Sequence, residues 1–435
     1  MAVTGWFVAL VALGVVPVVA VGQATGSAWP VLAAWLALCL VLLVFDVVLA
    51  GSPRRLSVER SLPDRVRLGE SVTSTLLITN RGRRTVRALV RDAWQPSARA
   101  SLPRQRLVIP PAERRAVSQQ LQPFRRGDRM SAQVIVRAFG PLRLGARQAA
   151  LSAPGRLRVL PPFNARKHLP SRLARLRELD GSSAVMVRGQ GTEFDSLREY
   201  VRGDDVRSID WRATARRQDL VVRTWRPERD RRVVIVIDTG RTSAARIDNE
   251  PRIDTSFEAS LLLAALATRA GDRVDVVAFD RRVRGRVQGA NGPTLLSRMV
   301  DTLAAVDPEL IEMDWDAVPG QVRDITAHRA LVVLLTSIDA PGASQGLLSV
   351  LPQLTQKHLV VVASVTDPDV VAAVSQRDRR DDVYRAASAE RSLLDITRVS
   401  AAIRHQGADV VTGAPADLPP ALSDHYIALK AAGRL

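Results

Sequence analysis

"RRVVIVIDTGRTS", residues 231–243, runs five consecutive β-branched residues into an acid, and then into a loop of glycine and hydroxyls. A strand with one wet face alternates apolar and polar residues, so an unbroken Val/Ile run predicts burial on both faces, as in a central parallel strand. Downstream, "RVDVVAF", "RALVVLLTS", "HLVVVASV" and "ADVVTG" repeat the pattern, with helical segments between them. This alternation predicts a doubly wound, mostly parallel α/β sheet over residues 231–435. The first intervening helix is punctuated by Thr255 and Glu258 at capping-box spacing, by the apolar body "SLLLAALATRA", and by Gly271 at the C′ position.

Upstream the texture changes. From "LSVERSLPDRVRLGESVTSTLLITNRG" through "RLVIPPAERRAVSQQL" to "AQVIVRAFGPLRLG", short alternating runs are broken by turn residues about every ten positions. That spacing predicts a β-sandwich over residues 52–160. Residues 161–230 read as a basic, partly helical connector followed by a segment dense in charge. Before the sandwich, Gly5–Val21 and Trp29–Ala50 are nearly free of charge and fit the roughly 17–25 residues a membrane span needs. Residues 1–51 are therefore expected to form a two-helix transmembrane anchor.

Arg54, Arg55 and Arg60 follow the second span, whereas the connecting loop is uncharged, which predicts a cell-membrane protein with its soluble domains in the cytoplasm. A cleaved signal peptide is disfavoured, because no Lys or Arg precedes Trp6. Asp46, the one ionisable residue of the spans, lies a turn from the cytoplasmic end and is expected to reach the interface.

The formal net charge of +18 favours acidic partners. Nucleic acid is nevertheless disfavoured, since aromatics make up 4% of the chain and no basic, aromatic-interleaved platform is present. A single cysteine, Cys39, and five scattered histidines offer no zinc constellation. No G-x-x-x-x-G-K-[ST] is present, which disfavours a P-loop ATPase.

In open α/β sheets, ligands bind beyond the carboxyl ends of the strands, which places "DTGRTS" in the crevice. An acid followed by hydroxyls can hold a hard cation such as Mg²⁺. This loop resembles the metal site of the von Willebrand factor A domain, D-x-S-x-S, and the resemblance implies that fold for residues 231–435. Asp238 and Thr242 match, while Gly240 stands where a serine belongs. Thr294 takes the place of the separate threonine; Ser337 takes that of the second aspartate, with Asp339 two residues on. With one certain carboxylate, Asp238 is expected first to cap the loop that follows its strand; as a metal site the set is degenerate, holding Mg²⁺ weakly at most and no other cofactor.

"GTEFDSLREYVRGDDVRSIDWRATARR", residues 191–217, places Phe194, Leu197 and Val201 at helical spacing, then alternates Ile209 and Trp211 inward with Asp210 and Arg212 outward. Its acids each have an arginine close in sequence, which holds a carboxylate ionised, and it lacks His and Cys, so no catalytic residue is assigned. With Gly189 and Gly191, the residues Glu193, Phe194, Leu197, Arg198, Tyr200, Gly203, Asp204, Asp205, Arg207, Ile209, Asp210, Trp211, Ala215 and Arg216 resemble the signature of the domain of unknown function 58 family. That family's usual layout has the same membrane anchor and β-sandwich in front. The resemblance implies a MoxR-type AAA+ ATPase as partner and a transglutaminase-like membrane protein as a neighbour. The expected function is a non-enzymatic, membrane-tethered interaction module. A metal-dependent, adhesion-like binder is the first alternative, and a hydrolase using Glu193 with Asp204, or Asp205 with Asp210, the second.

Overall fold

The computed structural model describes residues 2–102, 104–186, 193–202, 204–217, 219–226, 231–248, 250–339, 342 and 344–435. The chain divides into two compact units, Met1–Leu160 and Pro161–Leu435.

In the first unit, α1 (Gly5–Leu13) and α2 (Val15–Thr25) follow one another through Gly14, and α3 (Trp29–Leu49) packs beside both. Two helical stretches, Gly5–Ala24 and Trp29–Arg55, are long and apolar enough to cross a membrane. Gly14 is required where they meet, because a Cβ there would lie 2.2 Å from the Trp35 indole. Trp35 Nε1 donates to the Leu10 carbonyl at 3.3 Å.

The rest of this unit is a sandwich. One sheet contains β1 (Ala2–Val3), β3 (Arg65–Arg67), β5 (Val86–Trp94), β6 (Gln105–Ile109), β8 (Gly127–Phe139) and β9 (Gly145–Leu160). The other contains β2 (Leu56–Ser61), β4 (Val72–Asn80) and β7 (Arg114–Leu121). Period-two alternation turns Leu76 and Ile78 of β4 and Val86, Ala88 and Val90 of β5 into the shared core. The same alternation buries Asp92, and Arg60 answers it with two bonds of 2.7 Å. Trp94 Nε1, Gln119 Nε2 and Ser131 Oγ donate to the same carboxylate at 2.8, 2.8 and 2.9 Å. The buried charge is therefore fully bonded, which is the condition for tolerating it.

The second unit contains α4 (Leu169–Met186), a hairpin of β10 (Glu193–Glu199) and β11 (Val221–Arg226) with α5 (Trp211–Arg217) in its connection, and the α/β sheet. The sheet's strands are β12 (Arg232–Asp238), β15 (Arg273–Phe279), β16 (Val283–Val287), β17 (Leu331–Leu335), β18 (Leu359–Val365) and β19 (Asp409–Gly413), in the order β16-β15-β12-β17-β18-β19. All pairings are parallel except that of the edge strand β16. The two-residue strands β13 (Arg246–Ile247) and β14 (Glu250–Pro251) pair before α6 (Arg252–Arg269). Val233, Ile235 and Ile237 of β12 join one core and Val234 and Val236 the other, so the unbroken apolar run serves two faces. Helices α6, α7 (Gly292–Ala304) and α12 (Leu418–Ala431) supply the first core. The second is covered by α8 (Val318–Ile325), α9 (Gln345–Thr355) and α11 (Arg380–His405), and α10 (Pro368–Ala373) packs on α11. The fold is the von Willebrand factor A-like doubly wound α/β sheet, preceded in the chain by the β-sandwich.

One helix boundary differs from the sequence reading. Helix α6 starts three residues before Thr255, so no capping box forms: Thr255 Oγ1 donates to Glu250 at 2.8 Å and Glu258 accepts the Asn164 amide at 2.9 Å. Gly271 does adopt the left-handed conformation, at φ 80°.

Asp46 also differs. Its carboxylate is fully buried and turned onto the β8–β9 connection, where it accepts the amides of Leu142, Leu144 and Gly145 at 2.7, 2.8 and 2.9 Å. The tight turn leaves no room for side chains: a Cβ on Gly140 would lie 2.2 Å from Asp46 Oδ1, and one on Gly145 2.4 Å from Val47. Thr4 Oγ1 and Arg84 Nη1 add bonds to the Arg143 and Val48 carbonyls. The end of α3 is thus stapled to the sandwich. Replacing Asp46 by Ala strands two buried amides at about 1–3 kcal/mol each, so a loss of roughly 2–6 kcal/mol is expected. Hydrogen exchange on the full chain in lipid should then show loss of protection at residues 142–145; unchanged protection would mean the carboxylate is not the staple.

Candidate functional site

Strand β12 ends at Asp238 and its neighbour β17 ends just before Thr336, at the position where the order of the sheet reverses direction. The buried Asp238 carboxyl accepts the Gly240 amide at 2.7 Å, Thr336 Oγ1 at 2.7 Å and Thr242 Oγ1 at 3.3 Å. Burial pushes its pKa up, against the lowering effect of these donors. Next to it, Asp280 goes the other way. Burial opposes its ionisation, but Arg284 Nε at 2.6 Å and the amides of Arg281 and Arg282 outweigh that and hold it below the usual carboxylate range. Thr239 Oγ1 bridges the two acids' loops by donating to Asp280 at 3.0 Å.

The expected metal ligands do not assemble. Asp238 and Thr242 are together, and Gly240 is explained by crowding, since a Cβ would lie 2.9 Å from the Ile311 carbonyl oxygen. Thr294 is misplaced. It lies exposed in the first turn of α7, which follows the antiparallel β16 and so begins at the amino ends of the parallel strands, the edge opposite Asp238. The segment that does close over the site is 305–314, where Ile311 accepts the Arg241 amide, the Glu309 amide donates to Thr239, and the Asp314 amide donates to Asp280. Ser337 is buried and accepts the Asp339 amide at 3.4 Å. Asp339 itself is paired with Arg252. Among the described residues, no group of three or more His, Cys, Asp or Glu side chains could hold a metal ion.

The sequence does not mark Arg252 as a site residue, because the capping-box spacing of Thr255 and Glu258 places it before the helix. A signal existed: a cation in the first turn of a helix opposes the macrodipole and needs a local reason.

The signature segment is a stitched hairpin. Residues 193–199 form β10, not the helix that the Phe194–Leu197–Val201 spacing suggests, because they pair antiparallel with β11, Leu197 opposite Arg223 and Glu199 opposite Val221. Gly189, Gly191 and Gly203 lie outside the described residues, as do the side chains of Glu193 and Phe194. Arg198 grips Asp204 with two bonds, at 2.7 and 2.6 Å, and Asp204 also accepts the Val201 amide. Asp205 caps the turn at Val206–Ser208 by accepting the Arg207 amide. Asp210 accepts the amides of Arg212 and Ala213, both at 3.0 Å, and pairs with Arg223; the Ala213 amide first, then Arg223, hold it below the usual carboxylate range. Asp210 is thus held in the direction opposite to the raised pKa of a general acid, and Asp204 and Asp205 are engaged as acceptors of local bonds.

Ile209 is buried as expected, at 9% exposure, but Trp211 is 66% exposed. The strand alternation stops at Asp210, whose cap starts α5, and the first helical residue then projects to solvent. Val201 and Val206 are 62% and 64% exposed, and Leu197, Leu220, Arg207 and Arg216 are also exposed, whereas Tyr200 is half-buried.

Residues 196–375 match the family model described as "Protein of unknown function DUF58". An uncharacterized protein of Mycobacterium tuberculosis is 25% identical over 248 residues, 55% of this chain and 77% of that protein. Among solved structures, the VWA domain of SpRpn10 aligns with 46% of this chain and 94% of its own at 9% identity, with a TM-score of 0.28. The CARDB domain of PF1109 from Pyrococcus furiosus aligns with 24% of this chain and 86% of its own at 14% identity, with a TM-score of 0.18.

The burial contrast makes a stability prediction. Trp211→Ala should change unfolding free energy by no more than about 0.5 kcal/mol, as surface substitutions do. Truncation of the much smaller Ile209 to Ala should cost about 2 kcal/mol or more. Equilibrium denaturation of the two variants should therefore rank them against side-chain size; a Trp211 variant that is the less stable would place the indole in a core.

Proposed function

We propose that this chain, whose residues 196–375 match DUF58, is a non-enzymatic protein–protein interaction module tethered to a membrane by its two apolar helices. Its partner is a MoxR-type AAA+ ATPase, and the pair acts in assembly or maturation of membrane or envelope complexes, with a transglutaminase-like membrane protein nearby. The identity of these partners comes from the family resemblance.

The observation that carries the reading is the surface of the signature segment. Between residues 201 and 220 the charged side chains Asp204, Asp205 and Asp210 are engaged in local bonds, while Val201, Val206, Trp211 and Leu220 are exposed. Tryptophan, with arginines close by, is the residue type most enriched at the energetic centres of protein interfaces. The hydrolase alternative would need a carboxyl held protonated and a second one free to act as base, and the bonding of these acids favours neither.

Membrane orientation follows from charge. Arg60 is consumed inside the sandwich, but Arg54, Arg55, Arg81, Arg84 and Arg143 are exposed on segments next to the end of α3. Such a basic group at a membrane end favours the cytoplasmic side and its anionic lipids.

Two experiments test the reading. Immobilised full-length chain should capture a MoxR-type ATPase, and Trp211→Ala with Val206→Asp should reduce capture at least tenfold while leaving the melting temperature in place; undiminished capture would remove this surface from consideration. For orientation, cysteines at Ser52 and Gly433 should resist an impermeant thiol reagent in intact cells, and labelling of either would reverse the assignment.

A further inference from the structure

The fold leads one to expect a divalent cation at the carboxyl edge, and the residues present do not fit one. We infer that the guanidinium of Arg252 is the resident cation of this edge: it holds the loop after β12 and the loop after β17 together, and it closes the site to divalent metal.

The geometry is specific. The Arg252 side chain is 8% exposed, Nη1 donates to the Thr242 carbonyl at 3.3 Å, and Nη2 is bonded to Asp339, the acid that follows β17. One planar cation therefore touches both loops that would otherwise meet on a metal ion. Its Nε is buried with no hydrogen-bond partner among the described residues. A divalent ion requires converging oxygens, and a guanidinium offers only N–H donors and a repelling charge. Asp238 cannot compensate, since its oxygens already accept three bonds from Gly240, Thr242 and Thr336.

Remove the guanidinium, and the two oxygen groups it bridges, the Asp339 carboxylate and the Thr242 carbonyl, are left facing each other without a cation, with water free to complete a shell. Such oxygen donors are suited to a hard cation. The site is thus a latent Mg²⁺ site occupied by a side chain, and the cohesion of this edge in the native chain is independent of metal.

The test uses full-length chain in detergent, with Mn²⁺ followed by electron paramagnetic resonance and Mg²⁺ as competitor. The native chain should bind no stoichiometric Mn²⁺ at millimolar concentration, and Arg252→Lys should behave in the same way. Arg252→Ala and Arg252→Gln should each take up one Mn²⁺, displaced by Mg²⁺ and lost when Asp339→Asn is added. By mass action the metal should then raise their melting temperature by several degrees once it exceeds Kd about 100-fold. If the variants fold only when Mg²⁺ is supplied, that rescue is the same result. Stoichiometric Mn²⁺ on the native chain that depends on Asp339 would overturn the inference. So would folded Ala and Gln variants that bind no metal, or unfolded ones that metal does not restore.

Discussion

The carboxyl of Asp238 decides the shape of the ligand edge. It ends the central strand of the sheet, and its three hydrogen bonds go to its own loop and to Thr336 at the end of the neighbouring strand. Both flanking loops are tied to that one acceptor group, and segment 305–314 closes over the loop after β12 so that the Ile311 carbonyl leaves Gly240 no space for a side chain. A residue in the position of a metal ligand has become a structural acceptor. The acid after β17, Asp339, takes its counter-charge from the start of α6, from Arg252.

The sheet was legible because its signal is physical redundancy. Five β-branched residues in a row fit no half-wet strand, and each of the later apolar runs repeats that constraint, so the α/β unit and its strand-end Asp238 could be read directly. The sandwich was legible from alternation. What escaped the sequence was tertiary pairing. Phe194, Leu197 and Val201 have helical spacing, yet the pairing of residues 193–199 with 221–226 overrides it, since short apolar runs do not discriminate helix from strand. Alternation extended past Asp210 puts Trp211 inside, but the helix cap at Asp210 ends the strand pattern there. Thr294 fits the family pattern by its place in the sequence, but the antiparallel edge strand carries it to the opposite edge of the sheet.

Two buried acids of the first unit follow one rule. Asp92 sits at an inward position of β5, where alternation alone demands an apolar residue, and survives because Arg60, Trp94, Gln119 and Ser131 all bond to it. Arg60 also lies over the Trp94 ring at 5.0 Å. Asp46 is retained in an apolar helix because three amides of a turn converge on it. In each case a lone acid in an apolar pattern marks a contact that fixes one register, since the unpaired alternative is costly. For Asp46 that contact joins the apolar helices to the sandwich.

The signature segment inverts that arrangement, and the inversion is informative. A segment that served only to hold the fold would bury its tryptophan and leave its charges to water. Here Asp204, Asp205 and Asp210 accept backbone amides, two of them are also paired with arginines, and the apolar groups Val201, Val206 and Trp211 are left outside. Local bonding of the acids makes the backbone stiff without using its large side chains. Rigid presentation of exposed apolar groups lowers the ordering cost of association, which is what a recognition surface needs and a core does not.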